Sequence, residues 1–116
     1  MVKLYHKLVR DRIPEIIAAQ GKTCVTEVLD DGAYLAMLKE KLAEECAEVR
    51  AAMTEDEILE ELADVLEVVY AIGAAHGCGR DGLEEIRQKK KTERGAFAAR
   101  ILLTEVGEST NVSTKS

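Results

Sequence analysis

Tryptophan is absent, phenylalanine and proline occur once each, and aromatic residues make up only 3% of the 116-residue chain. A core of stacked rings is therefore excluded. The 47% of residues that are apolar must pack as alanine, leucine, valine and isoleucine, a composition that favours helices. The three cysteines, Cys24, Cys46 and Cys78, are odd in number and lack C-x-x-C spacing, which argues against a disulfide framework and against a zinc site. No apolar run approaches the length of a membrane span, and no signal-peptide pattern is present, so the expected location is the cytoplasm. Positive charge is also in deficit. Sixteen Lys and Arg against 22 Asp and Glu give a formal net charge of -6, which disfavours general binding to nucleic acid polymers or anionic membranes.

What the chain does have is acid in a particular place. Between Lys41 and Tyr70 lie two clusters, Glu44-Glu45-x-x-Glu48 and Glu60-Glu61-x-x-Asp64, each inside an apolar, helix-periodic run. The short break Ala51-Ala52-Met53-Thr54 separates them. The chain length suggests one domain, over residues 1–106, with the Ser- and Thr-rich residues 107–116 expected to form a disordered tail.

Residues 1–10 read as an extended opening segment. A short helix follows from Asp11 or Ile13, with Pro14 suited to its first turn and Gly21 to its end. The first long helix is expected over about Ala33–Met53, after an N-cap in Asp30-Asp31-Gly32. Thr54-x-x-Glu57 is a capping box for the second, which continues to about Ala75 and stops at Gly77-Cys78-Gly79. Asp81-x-x-Glu84 would cap a third helix reaching about Lys91. Cys24–Leu29 alternates loosely enough for a strand, and its only obvious mate is the run Phe97–Val106. The expected fold class is thus all-α, a helical hairpin that completes a four-helix bundle by oligomerisation, with a minor two-stranded β ribbon if those segments pair. A core this small makes a homodimer or higher homo-oligomer the expected state.

Each helical residue advances about 100°. Leu35, Leu38, Leu42, Cys46, Val49 and Met53 then share one face of the first long helix, and Ile58, Leu62, Val65, Val69 and Ile72 one face of the second. Glu45 and Glu61 fall at equivalent edges of these faces, with Glu48 and Asp64 matching each other further round. Glu44, Glu60 and Glu67 turn outward. If the apolar faces close together, the pairs Glu45/Glu48 and Glu61/Asp64 converge. Four converging carboxylates repel and are costly to desolvate. Divalent metal would offset that cost. The only histidines, His6 and His76, do not follow a helix glutamate by three, so the Glu-x-x-His pairs of di-iron bundles are missing. Oxygen-only ligation favours Mg²⁺ or Mn²⁺. The bland alternative is that these acids are solvated or paired with neighbours such as Lys41, since E-x-x-E is common on any acidic helix.

The pattern Glu44-Glu45-Cys46-Ala47-Glu48 followed by Glu61-Leu62-Ala63-Asp64 resembles the shared mark of the MazG-type all-α nucleoside triphosphate pyrophosphohydrolases. That superfamily also takes in phosphoribosyl-ATP pyrophosphohydrolase. The opening Lys7-Leu8-Val9-Arg10-Asp11-Arg12-Ile13-Pro14 and the closing Arg94-Gly95-Ala96-Phe97 resemble a small single-domain subgroup of it. The resemblance implies Mg²⁺-dependent cleavage of a nucleoside triphosphate between its α- and β-phosphates, with Glu45, Glu48, Glu61 and Asp64 as metal ligands. Glu44 would be a supporting or water-orienting acid, and a free carboxylate, Glu45 or Glu48, the acceptor of the water's proton. Basic residues must meet the remaining phosphate charge. The candidates are Lys7, Arg10, Arg12, Lys91 and Arg94, with Arg10 and Arg94 favoured because they sit in the end motifs. The expected role is nucleotide-pool house-cleaning. The alternatives are phosphoribosyl-ATP hydrolysis in histidine synthesis and a non-enzymatic helical dimerisation or binding module. Cys46 and Phe97 are expected in the core.

Overall fold

The break after Ala51 decides the architecture. Ala52, Met53 and Thr54 take extended or unpaired backbone, and a link of that length can only fold two long helices back on each other. A computed structural model of the chain describes residues 5–108. Among the described residues there are four helices, α1 (Ile13–Ala19), α2 (Asp31–Ala51), α3 (Glu55–Ala75) and α4 (Arg80–Arg94), and no strand. α2 and α3, each 21 residues and about 31 Å long, pack together as the hairpin.

The helix ends follow the expected chemistry. Asp30 Oδ1 accepts from the Ala33 N–H at 2.8 Å and caps α2. Thr54 Oγ1 accepts from the Glu57 N–H at 3.2 Å and caps α3. Pro14 lies in the first turn of α1, where no intrahelical N–H is lost. α3 stops at Gly77, whose φ of 76° is left-handed, while the Cys78 N–H donates back to the Gly73 carbonyl at 2.8 Å. Gly73 itself is a point of close approach. A Cβ there would come within 2.9 Å of the Cys78 carbonyl oxygen, so this turn needs a residue without one. α4 begins at Arg80, two residues before the Gly82 start that a cap at Asp81 implies, which puts Asp81 inside its first turn.

By internal contacts the chain divides into a first unit ending at Glu84 and a second beginning at Glu85. In the first, the Arg80 guanidinium lies 4.6 Å from the centroid of the half-buried Tyr70 ring. The second holds the rest of α4 and an irregular run in which Phe97, Ile101, Leu102, Leu103 and Val106 are exposed. The expected burial of Phe97 is therefore corrected. So is the β ribbon, because neither 24–29 nor 97–106 forms a strand. Val25 and Val28 are three residues apart and would point to opposite sides of a strand, leaving neither side apolar, and both are exposed. Ile101, Leu102 and Leu103 are consecutive and meet the same objection. Of the expected tail 107–116, residues 109–116 lie outside the described residues.

The hairpin packs on faces rotated from those expected. Leu38 and Val68 are the buried apolar residues among those described. Around them the half-buried positions on α2 include Tyr34, Lys41, Glu44 and Glu45 as well as Leu35, Leu42 and Val49 of the expected stripe, and on α3 Glu61 and Asp64 as well as Val65, Val69 and Ile72. Each packed face is turned roughly 60° toward the acids relative to the aliphatic stripe. Met53, at 90% exposure, and Cys46 are left outside, as are Leu59, Leu62 and Leu66 on α3. The burial expected of Cys46 is corrected for that reason.

Candidate active site

The rotation moves Glu45 and Glu61 from the edge of the apolar faces to the middle of the packed ones. Glu45, Glu61 and Asp64, all half-buried, each offer a carboxylate oxygen, and these oxygens lie within 4.8 Å of one another. Two helices thus bring together three of the four acids selected on the wheel. Glu48 is exposed and outside this set, although its charge still acts on Glu61.

Cations already answer part of this charge. Arg10 Nη2 lies 2.6 Å from Asp64 Oδ1, and Lys41 Nζ lies 3.5 Å from Glu45 Oε1. Glu44 is tied by Lys7 at 3.0 Å and approached by Lys41 at 3.8 Å. The hydrogen bond from Lys7 holds the Glu44 carboxyl below the ordinary range and raises the lysine in return. Among the described residues no cation lies within ion-pair distance of Glu61. Desolvation, followed by the charges of Asp64, Glu48, Glu45 and Glu60, pushes its carboxyl up.

That shift gives a pH dependence with a definite sign. A carboxyl raised on folding contributes stability below its unfolded value, about 4.3 for glutamate, and loses it as pH climbs through the folded value. Metal-free wild type and Glu61→Gln should therefore melt together below about pH 4, with the variant higher at neutral pH. Thermal midpoints in chelator across that range check this. A constant gap between the two proteins at every pH would contradict it.

Beside the acids runs a groove of about 460 Å³, within the range of small-molecule sites. Leu8, Ile13, Ile16, Tyr34, Leu38 and Val68 make its apolar wall, and Arg10, Arg12, Glu45 and Asp64 supply charge. The opening segment is placed there by a turn, in which the Ile13 N–H donates to the Arg10 carbonyl at 3.0 Å. Arg12 pairs locally with Glu15 at 2.6 Å. Lys91 and Arg94 stand exposed in the last turn of α4, in the second unit, and Arg10 and Arg12 line the groove of the first. Sequence reading missed Tyr34 as a wall of the groove, and it considered Lys41 only as a neutralising neighbour. The i,i+4 spacing of Lys41 and Glu45 was the available signal. The Arg10–Asp64 pair spans 54 residues and leaves no periodic trace.

The donor set fits a hard divalent cation, being three carboxylate oxygens with no sulfur or imidazole. No helix among the described residues is long and apolar enough to cross a membrane. A curated relative, an uncharacterized protein of Mycolicibacterium smegmatis, is 57% identical over 54 residues, or 47% of this chain and 55% of that protein. The chain thus spans about half the length of the curated relative it matches. No solved structure matches it. The phosphoribosyl-ATP pyrophosphohydrolase family matches residues 2–93, most of the chain and all of the acidic hairpin. The protein therefore belongs to that family, within the MazG-like all-α pyrophosphohydrolase superfamily.

Proposed function

We propose that the protein hydrolyses a nucleoside triphosphate between the α- and β-phosphates, releasing a monophosphate and pyrophosphate, as a nucleotide-pool house-cleaning enzyme. The observation that carries this reading is the convergence of Glu45, Glu61 and Asp64 from two facing helices beside a groove that also presents Arg10 and Arg12. Glu45, Glu61 and Asp64 would hold Mg²⁺ or Mn²⁺, with Glu48 available at the rim. When bound, such an ion supplies positive charge to the phosphate oxygens and makes water more acidic.

The chain's own residues do the rest. Glu48 is exposed and has no ion-pair partner among the described residues, so it is free to take the proton of the attacking water, more so than Glu45 beside Lys41. Glu44 ties Lys7 of the opening segment to α2. Arg10 and Arg12 meet the phosphates that lead away from the carboxylates. The apolar wall keeps the base and sugar in place and limits water around the reacting bond. No covalent nucleophile is required. A second reading, phosphoribosyl-ATP as substrate, is favoured by the family that matches and uses the same bond and residues. A second copy of the chain is the proposed cover for Leu59, Leu62 and Leu66, which would complete a four-helix bundle.

The test is pyrophosphate release across a panel of ribo-, deoxy- and modified triphosphates, with phosphoribosyl-ATP included. Mg²⁺-dependent release that stops in EDTA is expected, and the preferred substrate separates the two readings. No turnover on the whole panel, with no metal-induced thermal shift, would leave a helical binding module instead.

A further inference from the structure

Asp64 is claimed twice. Its carboxylate belongs to the three-acid set with Glu45 and Glu61, and it also accepts from Arg10 at 2.6 Å. The two arginines of the opening segment differ in this respect. Arg12 is engaged within its own turn by Glu15, whereas Arg10 reaches 54 residues along the chain to α3. The turn from Arg10 to Ile13 fixes the Arg10 backbone, so its side chain can leave Asp64 without moving α1. The groove that Arg10 lines gives the guanidinium somewhere to go.

We propose that Arg10 is a shared partner of Asp64 and of the substrate's polyphosphate, and that this sharing couples metal loading to substrate binding. The inference rests on the pyrophosphohydrolase reading and goes beyond it. In the metal-free protein Arg10 neutralises Asp64 and competes with a cation for it. A polyphosphate arriving in the groove offers the guanidinium a better-matched anion, because phosphate oxygens accept its forked N–H groups with more charge than one carboxylate. Asp64 is then released to the cation that accompanies the polyphosphate. The cation and the anion each make room for the other, so they bind together more favourably than singly.

Calorimetric titration of the full metal-free chain tests this with two probes, Mn²⁺ alone and the preformed Mn²⁺–tripolyphosphate complex. Arg10→Gln should bind Mn²⁺ alone about threefold to fivefold more tightly than wild type, the scale of one exposed ion pair removed. It should bind the complex about tenfold more weakly, having lost a charge-assisted contact. Arg10→Lys should shift both affinities in the same senses by less. Lys39→Gln, which deletes a positive charge elsewhere on α2, should shift neither. A purely structural role for Arg10 would lower both affinities together in Arg10→Gln, and that result overturns the proposal. So does unchanged Mn²⁺ affinity. If wild type binds Mn²⁺ but the crossed pattern is missing, only this coupling falls. If wild type binds neither probe, the pyrophosphohydrolase reading falls with it.

Discussion

Glu61→Gln is expected to lower pyrophosphate release by about 10²–10³-fold at saturating Mg²⁺ while leaving the helical circular dichroism intact. Three observations set that expectation. Glu61 lies at the centre of the packed face of α3, within reach of Glu45 and Asp64. Among the described residues it has no neutralising cation, so it presents its charge to a ligand without first breaking an ion pair. Glutamine keeps its size, so the packing around Val65 and Val68 has no reason to change. The melting behaviour adds a discriminating sign, because the same substitution that removes activity should stabilise the metal-free protein at neutral pH. A variant inactive through misfolding would do the opposite. Retained turnover in Glu61→Gln, measured as pyrophosphate release with Mg²⁺, would remove the carboxylate set from the chemistry.

Leu38→Ala is expected to have the largest effect on stability. Leu38 is only 3% exposed and, with Val68, is one of the two buried apolar residues among those described. Truncating a buried leucine to alanine costs about 2–5 kcal/mol, through lost transfer energy and the cavity left behind. Domains of this kind hold about 5–15 kcal/mol in total. The substitution therefore consumes a large share of what is available, and α1 and the opening segment lose a wall of their groove with it. Urea unfolding at several protein concentrations measures the loss. A midpoint that hardly moves would mean that the hairpin draws its stability from elsewhere.

Much of this was legible in the sequence. The caps at Asp30 and Thr54, the proline in the first turn of α1 and the glycine stop of α3 are local chemistry, and local chemistry is written in short windows. The hairpin followed from two periodic runs and a short break. Helical phase selected Glu45, Glu48, Glu61 and Asp64 over Glu44, Glu60 and Glu67, and three of those four, without Glu48, converge in the structure. The packed face itself was displaced, because a wheel weights residues by hydropathy alone. In the structure Leu62 and Leu66 stay exposed while Glu45, Lys41 and Glu61 turn inward. The ribbon failed because apolar residues three apart, or consecutive, were allowed to count as alternation. The ion pairs of Lys7 and Arg10 could not be read at all. They join segments tens of residues apart, and no periodicity connects such positions.

The link Ala52–Thr54 has a consequence for how such a chain can change length. Glu45 stands seven residues before Ala52 and Glu61 seven after Thr54, close to two helical turns on either side, or about 10 Å. The carboxylates therefore meet because two arms of equal span are folded at one point, much as the tips of dividers meet when the arms match. One residue inserted between Glu55 and Glu60 would advance Glu61 by about 1.5 Å and swing it by about 100°, breaking the match with every helical hydrogen bond still formed. Extra residues placed within the link would leave both arms as they are. Substitution is thus not the only way to lose this site, because its spacing is a measured length that insertions and deletions on either arm must respect.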